Sequence, residues 1–267
     1  MTTAAARRFA RVLVPLADSA RDEAALDAAV GLAAAVGARL EGLFVEDANL
    51  ARLCALPFAR EVSPLTTAHR LLALADIERA FRVEAARLQR ILERRAQQAR
   101  VECSFDVTRG QLLAEAIARE ADLTVLTGRE RPAAGDRERA RRAPGGMPSS
   151  VAVIFDASAA SVRGLAAATG LARTLERELL ILVPRGGVTT EPTATERAAS
   201  EQAREWLAAE RVAGAAVLLA PNRDALFAAV RIHGGSLLAL PAATLAAFAT
   251  DLAALAADAP CTLILVR

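Results

Sequence analysis

The chain has 267 residues, a hydrophobic fraction of 54%, only 3% aromatics and no tyrosine, so its core must be aliphatic. That length gives one large or two modest domains, either of which can bury an ordinary core. A net charge of +2 and few aromatics argue against nucleic acid or a membrane surface as partner, and the absence of lysine excludes Schiff-base and P-loop lysine chemistry.

At the amino end, Met1–Arg8 leads into Val12–Leu16, an apolar run too short for a signal-peptide core. Segment 237–266 is very apolar, but Pro241, Asp251, Asp258 and Pro260 interrupt it below the length of a membrane span. Cys54, Cys103 and Cys261 stand far apart and form neither a metal-binding spacing nor a redox pair. A sparse, odd set suits a reducing compartment, so a cytoplasmic protein is expected.

In chain order, the first half reads as strand Val12–Leu16, helix 22–36, strand Leu40–Val45, helix 65–99, strand 101–107, helix 110–120 and strand 122–127. Both opening strands are continuous apolar runs, as in strands covered on both faces. Helix 65–99 carries Leu74, Ile77, Phe81, Leu88, Ile91 and Leu92 at helical spacing. Leu50–Leu65, with Leu53, Leu56, Pro57 and Phe58 among charges, reads as a lid, a partner-binding surface or a locally packed loop. The second half gives strand Val151–Phe155, helix 160–176, strand Leu179–Val183, helix 192–212, strand 214–220, helix 223–233, strand 236–240, helix 243–257 and strand 261–266.

The halves repeat one another. Val12–Val45 lies over Val151–Pro184 without a gap, pairing Val12 with Val151, Val14 with Val153, Ser19 with Ser158, Leu26 with Leu165, Gly31 with Gly170 and Leu32 with Leu171. Strand–helix–strand units of this length imply parallel pairing and right-handed crossovers, hence two tandem doubly wound α/β units. Between them, Gly128, Pro132, Gly135, Pro144, Gly145, Gly146 and Pro148, together with the arginine-rich run 129–142, read as a solvated linker. The expected division is a first unit over 1–128, a linker over 129–148 and a second unit over 149–267. The first unit lacks the last helix and strand of the second, which changes the pairing of the units or leaves an edge for another chain.

The opening Val153-Ile154-Phe155-Asp156-Ala157-Ser158, the end of the second strand Leu43-Phe44-Val45-Glu46-Asp47 and the closing Ala259-Pro260-Cys261-Thr262-Leu263-Ile264-Leu265-Val266 resemble the universal stress protein family. The resemblance implies a Rossmann-like fold, a role in stress response and pairing of the units through sheet edges and last strands. Family members that bind ATP carry a Gly-x2-Gly-x9-Gly-Ser/Thr loop after the fourth strand, where bare backbone and a helix N-terminus meet the phosphates. Here the second half reads Pro241-Ala242-Ala243-Thr244-Leu245 with no glycine. The first half keeps Gly135 and Gly145 at the x9 spacing, with Pro132 in place of the first glycine and Gly146 in place of the hydroxyl residue.

Candidate cleft residues are therefore Asp18, Asp47 and Asp156 at strand ends and Gly128, Gly135 and Gly145 in the linker, for a nucleotide or another ligand. Each aspartate also suits a helix cap or a turn. His69 and His233 lack companions at ligand spacing, and no G-x-S-x-G elbow exists, so neither a metal nor a catalytic constellation is expected. The sequence reads as a non-enzymatic binding or signalling module without a cofactor, acting through a protein partner or self-association, with a homodimer as one form. The alternative is an adenine-nucleotide sensor holding ATP in the cleft of the first unit.

Overall fold

Strands that are apolar at every position need cover on both faces, and that requirement sets the architecture. The computed structural model describes residues 9–17, 19–54, 56, 60–62, 69–71, 73–126, 150–186, 191–248 and 251–267. The first unit contributes β1 (Arg11–Leu16), α1 (Ser19–Val36), β2 (Arg39–Asp47), α2 (Ala48–Leu53), β3 (Arg60–Val62), β4 (His69–Leu71), α3 (Leu74–Ala99), β5 (Cys103–Gly110), α4 (Leu112–Ala118) and β6 (Leu123–Leu126). The second contributes β7 (Ser150–Ile154), α5 (Ala159–Thr174), β8 (Leu179–Pro184), α6 (Ala194–Glu210), β9 (Gly214–Leu219), α7 (Arg223–Ile232) and β10 (Gly235–Pro241). A 3-10 turn (Ala242–Thr244), α8 (Leu245–Phe248), α9 (Leu252–Asp258) and β11 (Thr262–Val266) complete it.

Two expected helices are shorter than the periodicity implies. Helix 65–99 begins only at Leu74, because His69–Leu71 pairs antiparallel with Arg60–Val62 and Ala73 is extended at φ −96° and ψ 130°. Helix 243–257 is divided. Asp251 is extended and its carboxylate accepts the Ala253 N–H at 2.8 Å, capping a fresh helix there.

The long strands form one nine-stranded sheet in the order β5-β2-β1-β6-β11-β10-β7-β8-β9. Pairing is parallel except at β6 and β11, where Leu126 faces Leu263 and Leu123 faces Val266 in antiparallel register. The second unit's last strand thus occupies the place beside β6 that the first unit leaves open. The free edge anticipated there does not exist, and the sheet ends at β5 and β9 instead.

Alternate residues serve opposite faces. Val12, Val14, Val151 and Val153 enter the larger core with Leu26, Leu32, Leu88, Leu165 and Leu171, under α1, α3, α5 and α6. Leu13 and Leu43 pack beneath α4. Ile154, Leu238 and Leu263 pack with Leu226, Phe227 and Leu255 of α7 and α9. The repeated residues are packing residues. A Cβ at Gly31 would stand in ordinary contact with Leu171 and Leu175, and one at Gly170 with Ala35, so the matched glycines lie where α1 and α5 pack on one another across the seam. Each fully buried leucine contributes about 1.5–3 kcal/mol. Thr124, buried at the seam, has no hydrogen-bond partner for its hydroxyl.

Candidate functional site

Parallel α/β sheets gather ligands where strands end and helices begin. The antiparallel seam makes the carboxyl ends of the two units point in opposite directions, so this chain has two such regions.

In the first unit, β2 ends at Glu46-Asp47 beside Arg109-Gly110 of β5. The Arg109 guanidinium donates to Glu46 at 2.9 Å and to Glu78 of α3 at 3.4 Å. Hydrogen bonding to Glu46, reinforced by its charge and by Glu78, holds that guanidinium above its ordinary pKa. The triad ties two strand ends to the flanking helix. Asp47 caps α2, its carboxylate accepting the Asn49 N–H at 2.8 Å. Asp18, Gly128, Gly135 and Gly145 lie outside the described residues.

In the second unit, Asp156 follows β7 and accepts the Ser158 N–H at 2.9 Å. Ala157 takes a left-handed φ of 64° between them, and Ser158 caps α5 by accepting the Ser161 N–H at 3.2 Å. Burial pushes the Asp156 carboxyl up, but hydrogen bonds from Ser158 and Ser161 outweigh it and hold it below its ordinary value of 3.8. Asp156 and Asp47 are not brought together; they sit in different units at opposite ends of the sheet.

Beside Asp156, β8 runs out at Pro184, and the Gly186 N–H donates to Glu196. Glu196 also accepts the Thr193 N–H at 2.7 Å, while Thr193 Oγ1 accepts the Glu196 N–H at 3.2 Å. The backbone hydrogen bonds from Gly186 and Thr193 depress the Glu196 carboxyl below its ordinary value of 4.5. Thr193-x-x-Glu196 is a capping-box pattern visible in the sequence but passed over there.

At the end of β10, Pro241 is buried. Its ring lies 3.7 Å from where a Cβ on Gly164 of α5 would stand, as does Val266. The chain then turns through the 3-10 segment, with the Thr244 hydroxyl donating to the Pro241 carbonyl at 2.9 Å. Ala242 and Ala243 are exposed and Thr244 is buried, and no glycine stands in this turn. Among the described residues, no three His, Cys, Asp or Glu side chains gather to hold a metal. No described helix is long and apolar enough to cross a membrane.

Sequence reasoning also missed Asp22, whose buried carboxylate accepts the Ala17 N–H at 2.8 Å. Glu41, buried between Arg11 at 2.6 Å and Arg119 at 3.0 Å, escaped it too; an acid in the middle of an apolar strand was the available signal.

No sequence model of a protein family matches the chain, and no curated protein matches it in sequence. Among solved structures, the chain is similar to a universal stress protein from Archaeoglobus fulgidus DSM 4304, with TM-score 0.56 and 11% identity over 96% of both chains. A universal stress family protein from Burkholderia pseudomallei aligns at TM-score 0.28 and 18% identity, over 79% of this chain and 97% of its own. A putative universal stress protein from Pseudomonas aeruginosa UCBPP-PA14 aligns at TM-score 0.45 and 12% identity, over 97% and 93%. The first of these shows that the chain has the universal stress protein fold.

Proposed function

We propose that this chain, built on the universal stress protein fold, is a stress-response binding module that works through protein contacts and holds no ATP in the manner of nucleotide-binding family members. The observation that carries the reading is the buried Pro241 ring against α5, with Ala242–Thr244 where the phosphate loop would run. A pyrrolidine ring offers no N–H to an anion, and methyl groups fill the approach that bare backbone would give. The same reading is favoured by Asp47, which caps α2, and by Asp156, which holds the turn before α5, since both carboxylates already accept backbone hydrogen bonds.

Protein contacts are supported by the first unit's insertion. Leu53 and Leu56 are 48% and 42% exposed there, and the second unit has no counterpart. The test is to denature the purified full chain and analyse the supernatant for nucleotides by mass spectrometry. The reading expects no stoichiometric ATP, ADP or AMP. Release of one adenine nucleotide per chain would transfer the case to the first unit's cleft and a sensor function.

A further inference from the structure

The nine-stranded sheet ends at β5 and at β9, and the two edges differ in kind. β5 carries Asp106 and Arg109, with Glu102 just before it, and these charges are tied to Arg119, Glu46 and Arg39. Charge on an edge strand keeps a second strand away. β9 reads Gly-Ala-Ala-Val-Leu-Leu, and the run 212–220 around it holds no charged side chain. It lies inside 191–248, which is described without a break.

The side chains of β9 are already engaged. Val217 packs with the cluster under α7, and Ala216 and Leu218 pack against the larger core under α6. What the strand leaves open is its main chain. The carbonyls of Ala213 and Leu219 accept the Leu179 and Arg185 amides, each at 2.9 Å. Alternate residues of a strand turn their N–H and C=O groups to opposite sides, so the odd-numbered residues bond to β8 and Gly214, Ala216 and Leu218 point theirs away from it. Among the described residues, those outward groups have no partner.

We propose that β9 is where two copies of this chain pair, antiparallel about Ala216, so that one sheet runs through both. Ala216 then exchanges both hydrogen bonds with its counterpart, and Gly214 faces the copy's Leu218. Such a contact is two-fold and closes at a dimer. It also sets the beginning of one β9 beside the end of the other. Arg211 precedes the strand and is exposed; Asp224 follows it, exposed and met only by Arg223 at 3.7 Å. Opposite charges therefore approach at each end of the pair, which selects a second copy as the occupant. The proposal rests on the protein-contact reading and names a partner for it. A monomer would sink this proposal alone, whereas released adenine nucleotide would sink that reading.

The test measures the mass of the full chain by sedimentation between about 1 and about 100 µM, with amide hydrogen exchange read over 212–220. A concentration-dependent dimer is expected, with exchange in that segment slowing as the dimer forms. Ala216→Pro removes one outward N–H while leaving the bonds to β8, and should weaken dimerisation about tenfold or more. Ala215→Lys places a charge at an exposed position of the edge and should do the same. Val107→Lys, exposed on β5 at the opposite edge, should leave the dimer unchanged. A monomer at about 100 µM, assembly beyond a dimer, or unchanged dimerisation in Ala215→Lys overturns the proposal. That exposed variant decides the matter if Ala216→Pro does not fold.

Discussion

The two units share their scaffold and differ at their strand ends. Leu26 and Leu165, or Leu32 and Leu171, occupy matched positions and are all fully buried in one core. At the carboxyl ends of the second and later strands the described residues differ. The first unit ties β2 and β5 to α3 through Glu46, Arg109 and Glu78, while the second packs Pro241 onto α5 and fixes Glu196 in a capping box. A duplicated fold therefore retained the residues that pack helix on sheet and lost likeness where ligands would be read.

Deep in the core the comparison predicts symmetry. Leu26→Ala and Leu165→Ala should each cost about 2–5 kcal/mol in urea unfolding. If only one variant is destabilised, the matched positions do not have matched packing.

At the strand ends it predicts asymmetry. Ser158→Ala removes the cap of a 16-residue helix that packs into the core and should cost about 1 kcal/mol. Asp47→Ala removes the cap of a 6-residue helix with no buried residue, and should cost a few tenths of that. Equal losses would show that the first unit's end is as firmly built as the second's.

The seam itself should improve under one substitution. Thr124→Val removes a buried hydroxyl that lacks a partner, so the denaturation midpoint should rise by the equivalent of about 1 kcal/mol. A lower midpoint would mean that the hydroxyl is hydrogen-bonded after all.

Acid provides the mildest contrast. Asp156 and Glu196 both have folded values held below their ordinary 3.8 and 4.5. Their stabilisation is complete above those ordinary values and fades as pH falls through the lowered folded ones. Asp156→Asn should therefore flatten the loss of stability as pH falls below about 4, measured by urea midpoints. An unchanged slope would remove Asp156 from the account.

Much of this fold is legible in the sequence because its signals are local. Val12–Leu16 and Val151–Phe155 declare buried strands by composition alone, and the ungapped repeat fixes the helices between strands. What was illegible is non-local or depends on single caps. Nothing within Leu123–Leu126 says that its neighbour is β11, since four apolar residues suit either direction of pairing. His69–Leu71 becomes a strand only because Arg60–Val62 lies opposite. Asp251 interrupts an alanine- and leucine-rich helix through one hydrogen bond to Ala253. At the site, the positions of Asp47 and Asp156 at strand ends were readable, and so was their capability as caps. Their engagement with Asn49 and Ser158, and the Pro241 contact with α5, required coordinates.

Titration of the full chain with Mg·ATP in a calorimeter tests the central claim most directly. If, as proposed, Pro241 and its neighbours stand where phosphates would bind, no saturable heat is expected up to about 1 mM, the weak end of specific binding. A dissociation constant in the micromolar range, with one site per chain, would contradict it.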